Sequence, residues 1–444
     1  MPSALLTIGK SGALTARSAL ELTGQNIANA GSAGYTRRTL AAAEVASARG
    51  IGLNAAGSLS GVRAAGIERA GAPFLHAEAR RTGSDLARAD AELGGLRLAE
   101  AAVERAGLYP ALTGLEASLA RLGSDPLNTA LRADALEQAR AAAQSFNLAA
   151  QGVAAAREGV LTDAAEGVAE VNRLAAELAR INTGLAKAQD GSAGKAALLD
   201  RRDHLLAQLS GHAAVAGEFD GSGRVAVRLG GTGGPLLVAG GQSGVLTAAQ
   251  NTSGALQFAV DSAAALVGSG ALAGQSQALA RLHGLGGELD ALAGDLIARS
   301  NGLQASGATP AGTAGPPLFS GSGAGDIALA LTDGSGIAAA AGGSPAGSRN
   351  TANLAALRSA LADGSVAEAD RLLSTLSAAI SGRTVTRDVL GGLANAAQSS
   401  LQNAAGVDLD AEAVNLLRFQ QAFQANGKVI QAAAEIFDTM LGIG

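Results

Sequence analysis

The side chains best suited to chemistry in this sequence are Asp200, Asp203 and His204. Two carboxylates and an imidazole can bind a divalent metal or form an acid–base pair, and residues 200 and 204 share a face if the segment is helical. No further ligand is tied to them by spacing, whereas Arg201 and Arg202 are adjacent ion-pair partners. We therefore interpret the cluster as structural, and the sequence predicts no catalytic, cofactor-binding or metal-binding residue and no cofactor.

Composition argues against several other functions. The 444 residues include no cysteine, which excludes thiolate nucleophiles and iron–sulfur clusters, and the other histidines, His76, His212 and His283, stand alone. The glycine-rich run 230–234 lacks the Lys-Ser/Thr of a phosphate-binding loop. The net charge is −5 without a basic patch, so no nucleic-acid partner is expected. The uncharged run 262–280 is interrupted by glycines, so no membrane insertion is expected either.

The first elements that the sequence predicts around these residues are helices at the two ends of the chain. Both ends carry apolar residues spaced by three and four. Such spacing is typical of a helix that buries one face against a partner. We expect the terminal helices to cover each other, and neighbouring copies to cover the rest. The predicted assembly interface comprises Leu6, Ala13, Leu20, Ile27, Leu409, Leu416, Gln420, Phe423, Ile430, Phe437 and Leu441. Gln420 and Gly427 either fix the register and closeness of the helices or are simply tolerated at a wide seam.

Between the ends, helix signals surround one glycine-rich, β-like region. Together with 4–28, the predicted helices are 73–106, 110–122, 124 to about 153, 158–190, 195–209, 274–306, 351–362, 366–405 and 408–441. Residues 35–72 are expected to be extended or irregular. The β-like runs are 225–229, 236–238 and 256–260, and Ile327 to Leu331 is expected to return a strand to them.

This pattern predicts a mainly α fold with a small β insertion, in an elongated chain of several domains. Residues 1–35 and 406–444 are predicted to pair as an inner, coiled-coil-like terminal domain. A discontinuous helical middle domain is assigned to residues 36–210, 271–317 and 337–405. A small β-rich outer domain is assigned to residues 211–270 and 318–336.

Four sequence blocks carry a resemblance to a known family. Asn26-Ile27-Ala28-Asn29 followed by Gly34-Tyr35-Thr36-Arg37-Arg38 is similar to the N-terminal signature of axial flagellar proteins, and the GYTR form is typical of the flagellar hook-associated protein 1 family. The segment 198–206, LLDRRDHLL, and the blocks 406–412 and 415–425 near the C-terminus are similar to further motifs of that family. The positions that match its motifs are Asn26, Asn29, Gly34, Tyr35, Thr36, Arg37, Asp200, Arg202, Asp203, Asn415, Arg418, Phe419 and Gln421.

The resemblance implies a structural, non-enzymatic protein at the junction of hook and filament. Its terminal helices would line the inside of a tubular assembly, with self-association into a ring and with the hook protein and the next hook-associated protein as neighbours. It also implies a cytoplasmic export chaperone at the C-terminal helix. No cleavable signal is visible in the first eighteen residues, so we expect extracellular location in the flagellum through type III export. Only about residues 318–336 fill the place of a long outer region found in many relatives.

Two alternatives remain from the sequence. Another axial flagellar protein, a flagellin or a hook-type subunit, would share the terminal helices, although GYTR and the 198–206 motif favour the junction protein. An enzyme carried on the β insertion is the alternative from a different class, but residues 211–261 contain no paired carboxylates or histidine constellation. Arg37 and Arg38 could bind an acidic surface, although adjacent arginines are usually just solvated.

Overall fold

The computed structural model describes residues 2–46 and 59–441, and it confirms a mainly α fold with small β-sheets. The helices are α1 (Pro2–Asn29), α2 (Pro73–Ala106), α3 (Leu108–Leu122), α4 (Thr129–Lys187), α5 (Ala193–His212), α6 (Ala271–Ser306), α7 (Ala352–Ala360), α8 (Ala367–Ala405) and α9 (Leu409–Leu441). The strands are β1 (Arg38–Ala46), β2 (Leu59–Arg69), β3 (Val215–Phe219), β4 (Val225–Leu229), β5 (Leu236–Ala239), β6 (Gln242–Ser243), β7 (Leu246–Gln250), β8 (Leu256–Val260), β9 (Ala263–Ala265), β10 (Gly307–Ala308), β11 (Phe319–Ser320), β12 (Ala328–Leu329) and β13 (Ala340–Ala341).

The described chain divides into two compact units. Unit 1 is drawn from residues 1–84, 170–246 and 391–444, and unit 2 from residues 85–169 and 247–390. The boundary after residue 246 falls inside the segment that the sequence assigns to one outer domain. The three-part division of the chain therefore stays a prediction.

In unit 1, the terminal helices α1 and α9 pack against each other and run antiparallel. Gly9 lies beside Ile430 and Asn426, while Asn26, near the other end of α1, contacts Glu412 at the start of α9. A Cβ on Gly9 would lie 2.9 Å from Cγ1 of Ile430, so the missing side chain permits the close approach of the two helices. The expected mutual covering of the chain ends is thus present within one chain.

An antiparallel hairpin of β1 and β2 accompanies α1. Its register pairs Arg38 with Arg69 at the open end, and a bulge lies between Ala41 and Ala42. The Ser11 hydroxyl on α1 accepts a hydrogen bond from the Val62 amide, which joins the helix to the hairpin. The sequence predicts extended or irregular chain over 35–72 but not the pairing, and residues 47–58 of that range lie outside the described part.

Unit 1 also contains the four-stranded antiparallel sheet β3-β4-β5-β6, next to α5 and the C-terminal part of α4. Asn182 of α4 ties the helix to the sheet, since its amide donates to the carbonyl oxygens of Val225 and Gly240 and accepts from the Val225 amide. The Ser192 hydroxyl caps α5 by accepting from the Lys195 amide at 3.1 Å. These contacts fix the orientation of α5, which carries the 200–204 cluster.

The core of unit 2 is built from leucine, alanine and a few phenylalanine side chains on α2, α3, α4, α6 and α7. Phe146 and Phe319 are the largest of its fully buried side chains. The three-stranded sheet β7-β8-β9 and the short pair β11-β12 belong to the remaining β structure. The strand expected at Ile327 to Leu331 pairs with Phe319–Ser320 and not with the strands of 215–265, so its assignment to the inserted sheet is wrong.

One long helix replaces two predicted ones. α4 is continuous over 59 residues because the segment 154–158, Ala-Ala-Ala-Arg-Glu, contains no helix breaker. Its start also differs from the predicted Asp125-Pro126 signal: Asn128 caps the helix, with its side-chain oxygen accepting from the amides of Ala130 and Leu131. The segment before it forms a turn, in which the Asn128 amide donates to the Asp125 carbonyl.

Candidate functional site

Asn26 is the centre of a buried polar cluster in unit 1 that joins α1, β1 and α9. It is 1% exposed, and its Nδ2 donates to the carbonyl oxygen of Arg38 (2.8 Å) and to Glu412 Oε2 (3.2 Å). Its Oδ1 accepts from the Tyr35 hydroxyl (2.8 Å) and from the Arg38 amide (3.1 Å). Both donors and both lone pairs of this amide are therefore used, which no other side chain of that size can reproduce.

Tyr35 and Arg38 support this arrangement. Burial raises the pKa of Tyr35 and outweighs the opposite effect of Arg38; Asp200 and Glu412 raise the pKa further, so the hydroxyl stays protonated and donates to Asn26. The Arg38 guanidinium lies 4.8 Å from the centre of the Tyr35 ring, within the range of a cation–π contact. The GYTR residues thus link the end of α1 to the polar cluster.

Arg38 and Arg69, which face each other at the open end of the β hairpin, bind the carboxylates of α5. Arg38 Nη2 lies 2.7 Å from Asp200 Oδ2, and Arg69 Nε lies 2.6 Å from Asp200 Oδ1. Arg69 Nη2 reaches Asp203 Oδ2 at 2.6 Å and the Thr36 hydroxyl at 3.1 Å. These side chains are almost fully buried, and ion pairs in such a place depend on every partner being present.

One carboxylate oxygen of Asp203 accepts two further hydrogen bonds from its neighbour Arg202. Arg202 Nε and Nη2 lie 2.9 and 2.7 Å from Asp203 Oδ1, and the guanidinium packs over the Phe219 ring. Burial raises the pKa of the Asp203 carboxyl, but Arg202 and Arg69 outweigh it and hold the net pKa below its ordinary value. The carboxylate is an ionised ion-pair partner, not a proton donor.

The geometry does not assemble the metal site or acid–base pair that residue types at 200–204 could form. Asp200 and Asp203 point to arginines, whereas His204 lies against Gly34, where a Cβ would be 3.1 Å from its Cβ. Within residues 2–46 and 59–441, no group of three or more acidic or histidine side chains is arranged to hold a metal ion. The same part of the chain contains no helix long and apolar enough to cross a membrane.

The remaining N-terminal motif residues shape the loop after α1. Gly34 has a positive φ of 78°, which a glycine adopts without strain. The Asn29 side chain donates to the Gln25 carbonyl and accepts from the Ser32 hydroxyl, which closes the turn. The Arg37 amide donates to the Ala405 carbonyl at the end of α8.

The predicted interface residues divide into two groups in unit 1. Ile430, Leu416, Ala13 and Leu20 are partly buried, and Ile430 contacts α1. Leu409, Phe423 and Phe437 leave apolar surface in contact with solvent, and so do three α9 residues outside the predicted interface, Leu417, Ile436 and Met440. We call these six side chains the exposed α9 face. Phe423 and Phe437 are 43% and 53% exposed.

Leu6 and Ile27 on α1 and Gln420 on α9 are also exposed, and the side chain of Leu441 lies outside the described part. Among the C-terminal motif residues, Asn415 and Phe419 are partly buried, whereas Arg418 and Gln421 are exposed. A Cβ on Gly427 would meet no atom of the described chain within 4 Å, so a close helix approach there has no partner in that part of the molecule.

Two residues of the site could not be identified from the sequence: Arg69 of the ion pairs with α5, and Glu412 of the polar cluster around Asn26. Arg69 is an isolated arginine at the end of β2, and its role depends on the hairpin register that brings it opposite Arg38. Glu412 stands inside a family motif block, but its only local signal is a charge in an apolar helix. It is 2% exposed, and its contact with Asn26 spans nearly the whole chain.

Two protein-family models match the chain. The model for the flagellar hook-associated protein FlgK helical domain matches residues 100–319, and the model for the flagellar basal body rod FlgEFG protein C-terminal region matches residues 397–443. A solved structure, the flagellar hook junction protein FlgK from Burkholderia pseudomallei, is similar at 22% sequence identity with a TM-score of 0.48. That match covers 55% of this chain and 46% of the solved one, less than half its length. The comparison with curated proteins gives no match.

Proposed function

We propose that the chain belongs to the family of the flagellar hook-associated protein FlgK, whose helical-domain model matches residues 100–319, and that it is a structural subunit of the bacterial flagellum that joins the hook to the filament. Its terminal helices are the assembly element, and the exposed α9 face contacts neighbouring subunits. The observation that carries the proposal is that α9 packs on α1 through residues such as Ile430, while large apolar side chains along the same helix remain about half exposed.

The exposed α9 face needs a partner for physical reasons. Six large apolar side chains on one helix are 43–60% exposed, and burying the exposed part of each stabilises an association by about 1 kcal/mol. In the proposed assembly these side chains pack against the terminal helices of copies in a ring and of the neighbouring hook and hook-associated proteins. A cytoplasmic chaperone that covers the C-terminal helix before type III export would protect the same surface.

No catalysis is part of this proposal. The carboxylates that could act as acids or bases, Asp200 and Asp203, are held by Arg38, Arg69 and Arg202 in a buried network. Their contacts support a structural role, in which α5 is fixed to the hairpin and the loop after α1.

Deletion of the gene tests the proposed function directly. Electron microscopy of the cells should show hooks without filaments, and flagellin should accumulate unassembled in the medium. Re-expression of the intact chain should restore the filaments. Intact filaments in the deletion strain would contradict the proposal, and the absence of hooks would assign the protein to an earlier step of assembly.

A further inference from the structure

A positively charged cleft lies in unit 1, separate from the exposed α9 face. Its volume is about 400 Å³, and it is enclosed by the start of α2, one side of α5 and the turn between β3 and β4. We call it the α2–α5 cleft. The charged side chains that line it are Arg69, Arg80, Lys195, Arg202, Asp203 and Asp220. Leu199, Pro73 and Phe219 contribute apolar wall.

Arg80 is a cation in this cleft for which the described chain offers no partner. Its guanidinium makes no hydrogen bond or ion pair with any residue of 2–46 or 59–441, although the side chain is largely withdrawn from water. The burial lowers the pKa of Arg80, which reflects the lost hydration of the charge. Residues 47–58 contain no Asp or Glu that could neutralise it. A charge that has lost much of its hydration is stabilised by an oppositely charged partner, so the site favours an anion.

The other charged side chains of the cleft do not neutralise Arg80, because positive charges outnumber negative charges there. Four cationic and two acidic side chains line the cleft, which leaves an excess of two positive charges. The excess stays the same when the outer ion-pair partners are included, since Arg38 and Arg224 add two positive charges and Asp190 and Asp200 add two negative ones. The cleft therefore has a positive potential that attracts anions.

His76 is a second polar side chain in the cleft wall, and one of its ring nitrogens forms no hydrogen bond with the described chain. It lies one turn before Arg80 on the same face of α2, and its buried Nε2 has no hydrogen-bond partner in the described chain. Burial lowers the pKa of His76; Asp203 raises it, and Arg69, Arg80 and Arg202 lower it. The buried Nε2 of His76 thus lacks a contact that such burial normally requires, next to the unpaired guanidinium of Arg80.

We propose that the α2–α5 cleft binds one oxyanion, a carboxylate or a phosphate group, with the Arg80 guanidinium as its direct partner. The planar guanidinium offers two parallel N–H donors that match two oxygens of such a group. Arg202 and Lys195 contribute charge to the site, while their own hydrogen bonds remain with Asp203, Gly223 and Asp190.

The oxyanion has two possible sources, an acidic side chain of an adjacent subunit or a free anion. The first rests on the proposed assembly, whereas the second does not. In both cases Arg80 binds the same chemical group, so the isolated full-length chain is the right object for the first experiment.

Histidine-selective labelling allows binding to be followed by NMR, because the chain has only four histidines. Sodium phosphate and sodium acetate are titrated at pH 7 against sodium chloride of equal ionic strength. We expect a saturable shift of the His76 ring signals with phosphate or acetate, at millimolar half-saturation, and no such shift with chloride. His212 and His283 serve as internal references, and H76Q assigns the signal.

Arg80→Gln is the test variant and Arg81→Gln its matched control, since Arg81 is the adjacent arginine on α2 and pairs with exposed Glu78. Arg80→Gln should weaken binding roughly tenfold or more, and Arg81→Gln should leave it unchanged. Arg80→Lys, which keeps the charge but loses the paired donors, should give an intermediate affinity. A His76 signal that ignores both anions, or equal affinity in the wild type and Arg80→Gln, would overturn the proposal.

The source of the anion is distinguished in the assembled form. If a carboxylate of another subunit occupies the cleft, Arg80→Gln should raise the concentration needed for assembly, and Arg81→Gln should not. If the anion is free, the two variants should assemble alike, and assembly should not depend on phosphate. A failure to assemble in every variant would bear on the proposed function alone, because the titration uses the unassembled chain.

Discussion

At the scale of single residues, Asn26 shows why a particular side chain is required. It satisfies a backbone carbonyl, a backbone amide, a tyrosine hydroxyl and a carboxylate at once, so it links α1, the following loop and α9. A signature that looks like an ordinary helix-ending loop in the sequence is a buried hydrogen-bond junction in the folded chain. Such a junction affects the free energy of unfolding mainly through the penalty for leaving one of its buried polar groups without a hydrogen bond.

Replacement of Asn26 by Asp should therefore destabilise unit 1 out of proportion to the small change in shape. Asp has no donor for the Arg38 carbonyl and places a second acceptor 3.2 Å from Glu412 Oε2, so we expect a loss of about 1–3 kcal/mol. Urea unfolding followed by circular dichroism measures the change. Adding Glu412→Gln should recover part of the loss, because it restores a donor–acceptor pair; a double variant as unstable as Asn26→Asp alone would contradict the direct contact.

Arg69 should be the most sensitive member of the ion-pair network. It binds Asp200 and Asp203 at the same time, and Arg69→Met keeps much of its volume while removing both contacts. We expect the free energy of unfolding at pH 7 to fall by about 3–5 kcal/mol, as for other broken buried pairs. Arg228→Met, at a half-exposed pair with Glu218, is the control and should cost under about 1 kcal/mol. Equal losses would show that the buried network is not special.

The stability of this network should also depend on pH in a predictable direction. The pKa of Asp203 in the folded chain lies below its ordinary value of 3.8. Its contribution is therefore present at pH values above about 4 and is lost as the pH falls through the folded-state pKa. The stability difference between the wild type and Arg69→Met should shrink between pH 5 and about pH 2–3. A difference that stays constant over that range would mean that Asp203 is not ionised by these contacts.

At the scale of secondary-structure elements, glycines on α1 set the distance to α9. A Cβ on Gly12 would lie 2.2 Å from Asn426 Oδ1, whereas a Cβ on Gly24 would meet nothing within 4 Å. Both glycines lie in the same helix. Because their surroundings differ, substitutions at the two positions distinguish the effect of helix–helix packing on stability from the effect of helix propensity.

Gly12→Leu should destabilise the chain by about 1–3 kcal/mol, because the larger side chain pushes α1 away from α9. Gly24→Leu is the matched control and should stabilise by up to about 1 kcal/mol, since leucine favours the helix more than glycine. Thermal unfolding of the two variants measures the contrast. If both variants change stability in the same direction, the close approach of α1 and α9 at Gly12 would be refuted.

The elements themselves are largely predictable from the sequence, and the contacts between them are not. Hydrophobic spacing and Pro73 predict the bounds of α2 correctly, and Val225–Leu229 and Leu256–Val260 are strands at their predicted positions. The predicted start of α4 is wrong because the Asn128 cap competes with the stronger-looking Asp125-Pro126 signal. Helix propensity and strand patterns are local, whereas caps of this kind depend on a few hydrogen bonds.

The candidate site is predictable only in part for the same reason. The structural interpretation of residues 200–204 agrees with the ion pairs, yet the sequence favours the adjacent Arg201 and Arg202 as partners. Arg201 instead binds Glu177, and the contacts to Asp200 come from Arg38 and Arg69. These arginines are distant in sequence, and only the hairpin register brings them to α5.

At the scale of the whole molecule, the proposed function gives α9 two roles. Ile430 contacts α1 within the single chain, whereas Phe423 is 43% exposed and is proposed to contact another copy. The spacing by three and four in the sequence does not separate the two sets, because both lie on one broad apolar surface. In the proposed assembly, the exposed α9 face is the surface that contacts neighbouring subunits.

The most direct test of the central claim is to count filaments on deletion-strain cells that express Phe423→Asp. Circular dichroism of the purified variant should equal that of the wild type and its unfolding temperature should change little, because position 423 is 43% exposed and a charge there stays hydrated in the single chain. Filaments should nevertheless be absent, since a charge would be buried between subunits. Gln431→Asp, at an exposed polar position of α9, is the control and should form filaments. Normal filaments with Phe423→Asp would contradict the assignment of the exposed α9 face to assembly.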